Sequence, residues 1–284
     1  MARRPRLACA DFTFPLLTHE QSLDLVATLG FKGVDIGLFQ GRSHLQPASE
    51  FATLKRNARR LKRKLDERGL LMADLFLQTS TNFEVSAVNN PRPGVRRKNR
   101  DWFLKTLDYG AECGGRHVTG TPGIEFPGRS HRQSLDLAIE ELAWRVERIK
   151  PYGMTHGVEA HIRSIVPTPR QAQRLIEAVP GLTLTLDYAH FTYTGTADRT
   201  IEPLVAHASH FHIRGGRRRR LQCNFDENVI DFARLYRAIV KVGYRGWLGV
   251  EYVWTEWEHC NWSDNLSETI RYRNFLLEMG RSVK

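Results

Sequence analysis

Four residues that can bind a divalent metal ion close short apolar runs in the C-terminal half of the chain. The runs are Gly-Val-Glu159, Leu-Thr-Leu-Asp187, Phe-His212 and Leu-Gly-Val-Glu251, and loop-like sequence follows each of them. Three carboxylates and one imidazole form an oxygen-rich set of candidate ligands. Such a set favours Mn²⁺, Mg²⁺ or Co²⁺ over a closed structural zinc site, although Zn²⁺ remains an alternative. The pattern predicts a divalent metal cofactor, with Mn²⁺ as the first expectation.

Alternating strand-like and helix-like segments supply the frame that would bring these four residues together. Strand-like runs lie at Leu7–Phe12, Gly33–Gly37, Leu71–Leu77, Arg116–Thr121, His156–His161, Leu182–Tyr188, His210–Arg214 and Trp247–Val253. Amphipathic stretches of helical length separate them. The pattern predicts an α/β protein, a (β/α)8 TIM barrel in a single domain over residues 1–284. In such a barrel, one ligand from each of four consecutive strand ends would meet at one mouth.

Strand periodicity places Glu159, His161 and Arg163 on one inward face, and it also groups His210, His212 and Arg214. The inward face of a barrel strand normally carries branched apolar side chains. A carboxylate placed there costs several kcal/mol unless its charge is compensated. A metal ion would supply that compensation. A salt-bridged or solvent-facing strand end is the alternative for each residue taken singly.

Bulk composition is that of an ordinary soluble enzyme apart from a formal net charge of +11. The basic run Lys55–Lys64 is interleaved with leucines, which predicts the solvated face of an outer helix, with nucleic-acid binding as the alternative. No apolar run approaches the roughly 20 residues of a membrane span, and no signal-peptide pattern is recognised. The 4 cysteines are far apart, which indicates reduced thiols. We therefore expect a cytoplasmic location.

The strand-end order Glu, then Asp-x-x-His, His-x-His and Glu resembles the sugar phosphate isomerase/epimerase group of the xylose-isomerase-like barrel superfamily. The resemblance covers nearly the whole chain. It implies that Glu159, Asp187, His212 and Glu251 are the metal ligands. It also implies that Glu159 and Glu251 are catalytic and move protons on opposite faces of a keto sugar, and that His190 contacts the substrate.

The chain departs from the ketose epimerase pattern at two strand ends. At the positions where those enzymes carry a second acid, this chain has His161 and Arg163 after Glu159, and Arg214 after His212. A neutral His161 could act as a general base near pH 7. The added positive charge of Arg163 and Arg214 suits an oxidised sugar, which favours a lyase or dehydratase as the second interpretation.

Further candidates for substrate binding lie outside the ligand motifs. Arg218 belongs to the run Arg217–Arg220, which could bind a phosphate or carboxylate or could be a solvated loop. Trp254 opens an aromatic segment that could wall the substrate or form a subunit interface. His117 lies on the fourth predicted strand, where a packed histidine is the alternative to a substrate contact.

Four functions are compatible with this pattern to different degrees. The first is a metal-dependent isomerase or epimerase of a keto sugar or related polyol, and the second is a lyase in the same fold. A DNA-repair endonuclease would need further histidines at the third and fourth strand ends, where the chain has Gln78 and Thr119-Gly-Thr. A non-catalytic barrel would not need four ligands. We expect a small carbohydrate as the partner, no nucleic acid or membrane, and a possible homo-oligomer or partner subunit.

Overall fold

Eight parallel strands close into a barrel in sequence order in the computed structural model, which describes residues 5–282. The strands are β1 Arg6–Ala10, β2 Gly33–Phe39, β3 Leu71–Gln78, β4 His117–Gly120, β5 Thr155–Glu159, β6 Thr183–Asp187, β7 Ala208–Ile213 and β8 Trp247–Val250. The predicted (β/α)8 fold is confirmed, and every predicted strand is present. Several strands end earlier than predicted, because the chain turns into loops at the mouth.

Helices cover the outside of the barrel. They are α1 His19–Thr28, α2 Pro47–Ala52, α3 Leu54–Glu67, α4 Phe83–Ser86, α5 Pro93–Cys113, α6 His131–Ile149, α7 Pro169–Ala178, α8 Tyr188–Tyr193, α9 Asp198–Ile201, α10 Phe232–Lys241 and α11 Asn265–Ser282. Leu61 and Leu65 of α3 are buried while most of its basic side chains are exposed. The basic run is therefore a solvated helix face, as the leucine spacing predicts.

Two helices begin at residues whose side chains can cap a helix N-terminus. Reciprocal hydrogen bonds join Thr18 to Gln21 at the start of α1, and the same arrangement joins Ser130 to Gln133 at the start of α6. Each hydroxyl accepts a bond from a backbone N–H that the helix itself cannot satisfy. Both capping boxes are visible in the sequence, so the start of these helices is set locally.

Part of the barrel interior below the mouth is polar, beside the apolar cluster of Ala8, Ala73 and Trp247. His117 lies 2.6 Å from Asp74, and Nε2 of His210 lies 3.0 Å from Asp35, with all four side chains buried. A β-carbon on Gly249 would lie 1.9 Å from Asp35 Oδ2, so only glycine leaves room for this pair. Two aspartate–histidine pairs thus form a floor beneath the candidate ligands.

Strand register places the candidate ligands at one level of the barrel. Asp187 pairs with His212, and His212 pairs with Gly249, two residues before Glu251. Glu159 is the last residue of β5, and Glu251 is the first residue after β8. Since the carboxyl ends of parallel strands open at the same mouth, these side chains converge there.

Two sequence expectations about the whole chain concern cysteines and membranes. All 4 cysteines are free and buried, as their spacing predicts. In the part of the chain that the structure describes, no helix combines the length and the apolar character needed to cross a bilayer.

Candidate metal centre

Glu159, His212 and Glu251 meet at the mouth of the barrel. Nδ1 of His212 lies 2.7 Å from Glu159 Oε1 and 3.4 Å from Glu251 Oε2. One potential ligand atom from each of the three residues lies within 4.8 Å of the others, and all three side chains are buried. Two carboxylates, one from β5 and one from the end of β8, therefore reach the same imidazole nitrogen.

The electrostatics of this triad differ sharply between its members. Burial alone would lower the pKa of His212, but Glu251 and Glu159 raise it to about 10. Burial alone would raise the pKa of Glu159, yet its hydrogen bonds with His190 and His212 hold it well below its usual value. For Glu251, burial dominates and raises the pKa to about 7 despite His212 and Arg214 nearby. The two carboxylates thus hold protons very differently.

Asp187 lies beside the triad, and its Oδ2 atom, like Oε2 of Glu251, is buried without a hydrogen-bond partner among the described residues. Its Oδ2 atom is 2.6 Å from Nη2 of Arg214, and its Oδ1 atom accepts a hydrogen bond from the backbone N–H of Ala189. Asp187 also forms a possible ligand group with Glu159 and His190. The structure therefore brings all four predicted ligands to one mouth, but it divides them between two overlapping groups.

The residues of the triad fit a divalent cation. Two carboxylates and one imidazole nitrogen face a common point, and this donor set suits the hard and borderline divalent ions. Oε2 of Glu251 is buried without a hydrogen-bond partner among residues 5–282. A bound cation would satisfy that oxygen and compensate the buried negative charge.

A small pocket bordered by Glu159 and Glu251 lies directly over the centre. Its lining combines the candidate acids with aromatic and cationic groups: Phe39, Arg42, Phe76, Gln78, Phe83, Thr121, Glu159, His161, His190, Arg214, Glu251, Val253, Thr255 and Trp257. Aromatic faces beside convergent polar groups are typical of a pocket for a small polar ligand. His161, His190 and Arg214 thus lie where the sequence predicts them.

His161 stands out among the groups in this cavity. Burial, followed by the neighbouring His190, lowers the pKa of His161 to about 4. Its Nε2 atom is buried and has no hydrogen-bond partner in the described part of the chain. The ring is therefore neutral at pH 7 and has a nitrogen free to accept a proton.

Loops from β5 and β8 meet across the cavity. Arg163 forms an ion pair with Glu258, which also accepts a hydrogen bond of 2.8 Å from the hydroxyl of Tyr193. Arg163 has a positive φ of 66° and Glu258 one of 51°. Both values are uncommon for residues with side chains, so this contact holds two strained loop segments together.

Four predicted substrate contacts lie outside the cavity. Arg163 is paired with Glu258, and His117 lies in the barrel floor between Asp74 and Ser209. Arg218 lines a separate surface depression, and Trp254 lines an apolar groove. Arg163 lies outside the cavity because β5 ends at Glu159, so strand alternation no longer applies at Arg163.

Several cavity residues were not recognised from the sequence. Arg42 follows β2, stacks over the ring of Phe39 at 4.7 Å and donates a 3.0 Å hydrogen bond to Gln78. No carboxylate within the range 5–282 forms an ion pair with Arg42. Trp257 belongs to the aromatic segment that the sequence indicates as a substrate wall, and it lines the cavity, whereas Trp254 does not. The sequence feature that could have identified Arg42 and Gln78 is their position just after predicted strands.

A family model described as xylose isomerase-like TIM barrel matches residues 23–275. The chain belongs to this family. No curated protein matches this xylose isomerase-like barrel in sequence.

Solved structures similar to this xylose isomerase-like barrel carry different names. An L-ribulose 3-epimerase has 18% identity, a TM-score of 0.76 and coverage of 98% of this chain and 96% of that one. An AP endonuclease, family 2, from Brucella melitensis has 20% identity, a TM-score of 0.74 and coverage of 95% and 99%. A 3-keto-D-glucoside 4-epimerase from E. coli has 15% identity, a TM-score of 0.72 and coverage of 97% and 100%. At these identities the similarity shows the fold.

Proposed function

We propose that the protein is a divalent-metal-dependent isomerase or epimerase acting on a keto sugar or related polyol. The observation that carries this proposal is the convergence of Glu159 and Glu251 on Nδ1 of His212 beneath a cavity lined by polar, charged and aromatic side chains. Structural neighbours named as sugar epimerases support the substrate class. Mn²⁺ is the first expectation for the metal.

The reaction requires removal of a proton from a carbon next to a carbonyl group. When bound, the cation would polarise the carbonyl and an adjacent hydroxyl, which makes that proton more acidic. Glu159 is ionised and can accept the proton, and Glu251 can carry one near pH 7 in the metal-free protein. A positive ion beside Glu251 would lower its pKa, so both carboxylates would then be able to act as bases.

Other residues of the cavity would orient the sugar. His190 and Arg214 lie beside the acids, and Phe39, Phe83 and Trp257 provide aromatic faces. His212 would hold the cation, and its position is fixed by both neighbouring carboxylates.

Deuterium incorporation tests this function directly. The Mn²⁺-loaded protein would be incubated in D₂O with free keto sugars, and NMR would follow the carbon next to the carbonyl. We expect exchange of that proton together with formation of an isomer or epimer of the same mass apart from the deuterium. Turnover without deuterium uptake would contradict proton abstraction, and turnover in excess EDTA would contradict the metal requirement.

A lyase acting on an oxidised sugar or glycoside is the second candidate, and His161 favours it. A neutral imidazole with a free nitrogen is a third group able to move protons, which an elimination can use for the leaving group. The unpaired Arg42 at the cavity would suit an acidic substrate. Loss of water or of an aglycone, seen as a change in product mass, distinguishes this candidate from an epimerase.

The endonuclease alternative is not proposed. β3 ends at Gln78 and β4 ends at Gly120, so neither supplies the histidine that a multinuclear zinc site would need at these strand ends. An assay for cleavage at an apurinic site would contradict this judgement if it gave metal-dependent nicking.

A further inference from the structure

A second pocket is lined by residues of α1, the loop after β2, α2, α3 and α5. None of the described residues lines both this pocket and the cavity over the candidate metal centre. The side chains in it that can carry charge are His19, His44, Glu50, Arg60 and Lys64. The proposed reaction uses none of these five residues, so their convergence needs another explanation.

Each histidine of this pocket has a free ring nitrogen. Nε2 of His19 lies 3.0 Å from Oδ2 of Asp11. Nε2 of His44 lies 2.9 Å from the carbonyl oxygen of Leu17. Both partners are acceptors, so each Nε2 carries the ring proton and Nδ1 of the neutral ring keeps a lone pair. Both Nδ1 atoms are buried and have no hydrogen-bond partner among residues 5–282, and the ring centroids are only 5.5 Å apart.

Two cations on one face of α3 also line the pocket. Arg60 and Lys64 are about one helical turn apart. Lys64 lies 2.8 Å from Glu20, whose side chain is 61% exposed, and a pair with so exposed an acid contributes little. Nη2 of Arg60 lies 3.3 Å from Oε1 of Glu50, and Oε2 of Glu50 accepts a 2.8 Å hydrogen bond from Tyr109. Both oxygens of this buried acid thus have partners, and both cations keep N–H donors for a ligand.

A metal ion is a poor occupant of this pocket. Among the described residues, no group of three potential metal ligands within 4.8 Å of one another includes His19 or His44. The basic run Lys55–Lys64 forms most of α3, and the acids of this helix, Asp66 and Glu67, lie only in its last turn. The positive field of the helix attracts anions and repels divalent cations.

We propose that this pocket is a second ligand site, which binds a small phosphate monoester that also carries hydroxyl groups. The phosphate dianion would pair with Arg60 and Lys64, which offer two positive charges and several donors. Hydroxyl groups of the same ligand would donate to Nδ1 of His19 and of His44, whose lone pairs are otherwise unsatisfied. An anion without hydroxyl hydrogens, or a neutral polyol, would satisfy only one half of the pocket.

The site lies close to the cavity along the chain but does not depend on it. His44 and Arg42 both belong to the connection between β2 and α2, and Arg42 lines the cavity over the centre. The site includes neither the proposed metal ligands nor the residues that would hold the sugar. Its ligand should therefore bind equally well to the metal-free protein, whatever reaction the protein catalyses.

Isothermal titration calorimetry on the metal-free, full-length protein tests this site with sn-glycerol 3-phosphate, sulfate and glycerol. We expect a Kd below about 1 mM for glycerol 3-phosphate, and binding of sulfate at least about fivefold weaker because sulfate has no hydroxyl hydrogens. Glycerol alone should give no saturable heat. The proposal is overturned if glycerol 3-phosphate shows no saturable binding up to about 10 mM, or if sulfate binds equally well.

Variants assign the binding to this pocket. K64M should weaken both anions at least about tenfold, because one of the two positive charges is lost. H44Q keeps a nitrogen that can donate to Leu17 but removes the acceptor at Nδ1, so it should weaken glycerol 3-phosphate at least about threefold and sulfate by less than about twofold. K62M is the matched control, since Lys62 lies on the same helix and pairs with Asp66 at the surface. It should change either affinity by less than about twofold.

The variants can also overturn the proposal. Unchanged affinity for glycerol 3-phosphate in K64M excludes this pocket, and a loss in R42Q would then place the ligand in the cavity over the centre. Equal losses in K62M and K64M would show a diffuse attraction to the basic helix instead of a site. Because Lys64 is partly exposed, K64M should fold, and it decides the question alone if thermal melts show that H44Q is unfolded.

Discussion

Asp35 occupies the space that a side chain at position 249 would need. A β-carbon built on Gly249 lies 1.9 Å from Asp35 Oδ2 and 3.0 Å from Nε2 of His210. These two side-chain atoms, Asp35 Oδ2 and His210 Nε2, are hydrogen-bonded to each other at 3.0 Å. The substitution G249A should therefore force the buried pair apart. We expect a loss of at least about 2 kcal/mol in the free energy of unfolding, since an unpaired buried aspartate results.

Urea denaturation measures this effect, and G94A is the matched control. A β-carbon at Gly94, near the start of α5, would meet only the end of the Arg97 side chain at 3.8 Å. G94A should keep the wild-type stability within about 1 kcal/mol. Equal stability of G249A and the wild type would contradict the tight packing of the barrel floor.

Removing either of the two proposed catalytic carboxylates should abolish most turnover. E159Q and E251Q each lose a proton acceptor and a charged ligand, so we expect kcat/KM to fall at least about a hundredfold. E256Q makes the same chemical change on the exposed loop after β8 and should retain wild-type activity. Full activity in E159Q or E251Q, with metal content checked by elemental analysis, would exclude the proposed carboxylate mechanism.

His161 separates the two candidate functions. Because its ring is neutral and its Nε2 atom has no partner in the described residues, H161N removes a base without removing a ligand of the centre. If the protein is a lyase, kcat should fall by about 10² to 10⁴ while Mn²⁺ affinity is retained. H131N, an exposed histidine at the start of α6, is the control. An epimerase that uses only the carboxylates would lose far less activity in H161N.

Arg42 should select for negative charge on the substrate. Its guanidinium lines the cavity and has no carboxylate partner within the described range, so it is free to pair with an acidic group. R42Q should raise KM for a sugar acid at least about tenfold and change KM for the matching neutral sugar by less than about threefold. R129Q, on the loop before α6, should affect neither substrate. An equal change in KM for both sugars would show that Arg42 contributes to the shape of the cavity but does not recognise the charge of the substrate.

Burial of His156 makes the folded state sensitive to acid. Burial lowers its pKa to about 3, although its Nδ1–H donates a 3.0 Å hydrogen bond to the carbonyl of Val118. The unfolded chain therefore takes up this proton first, near pH 6.5, and stability is lost as pH falls from about 6.5 towards 3. Through this group, lowering the pH from 7 to 5 should reduce the free energy of unfolding of the wild type by about 2 kcal/mol.

Urea denaturation at the two pH values, compared with H156M, measures that contribution. H156M has no titrating ring at this position. Between pH 7 and pH 5 its free energy of unfolding should therefore fall by about 2 kcal/mol less than that of the wild type. H131N, which removes an exposed imidazole at the start of α6, serves as the matched control. Parallel declines in H156M and the wild type would contradict the assignment to His156.

The strands and the candidate ligands could be predicted because both depend on local pattern. Apolar runs that end in Glu159, Asp187, His212 and Glu251 indicate strands and ligands at the same time, and the closed parallel order follows from alternation with helices. The strand ends were less predictable. Parity along β5 predicted that Arg163 points inward, but the strand stops at Glu159 and the loop directs Arg163 towards Glu258.

Pairings across the barrel could not be predicted in the same way. Asp35 and Asp74 are charged residues inside apolar strand-like runs, which signals a buried partner, but the sequence does not say that the partners are His210 and His117. The contact between Arg214 and Asp187 likewise depends on which inward side chains of β6 and the end of β7 meet. Such contacts join residues that are far apart in the chain, so only the assembled barrel defines them.

The salt bridge from Arg214 to Asp187 also bears on the protein before any ion is loaded. A cluster of buried acids with no counterion would repel itself and loosen the strand ends that carry it. Here the polypeptide supplies a positive charge of its own, because Nη2 of Arg214 lies 2.6 Å from Asp187 Oδ2 inside the cluster.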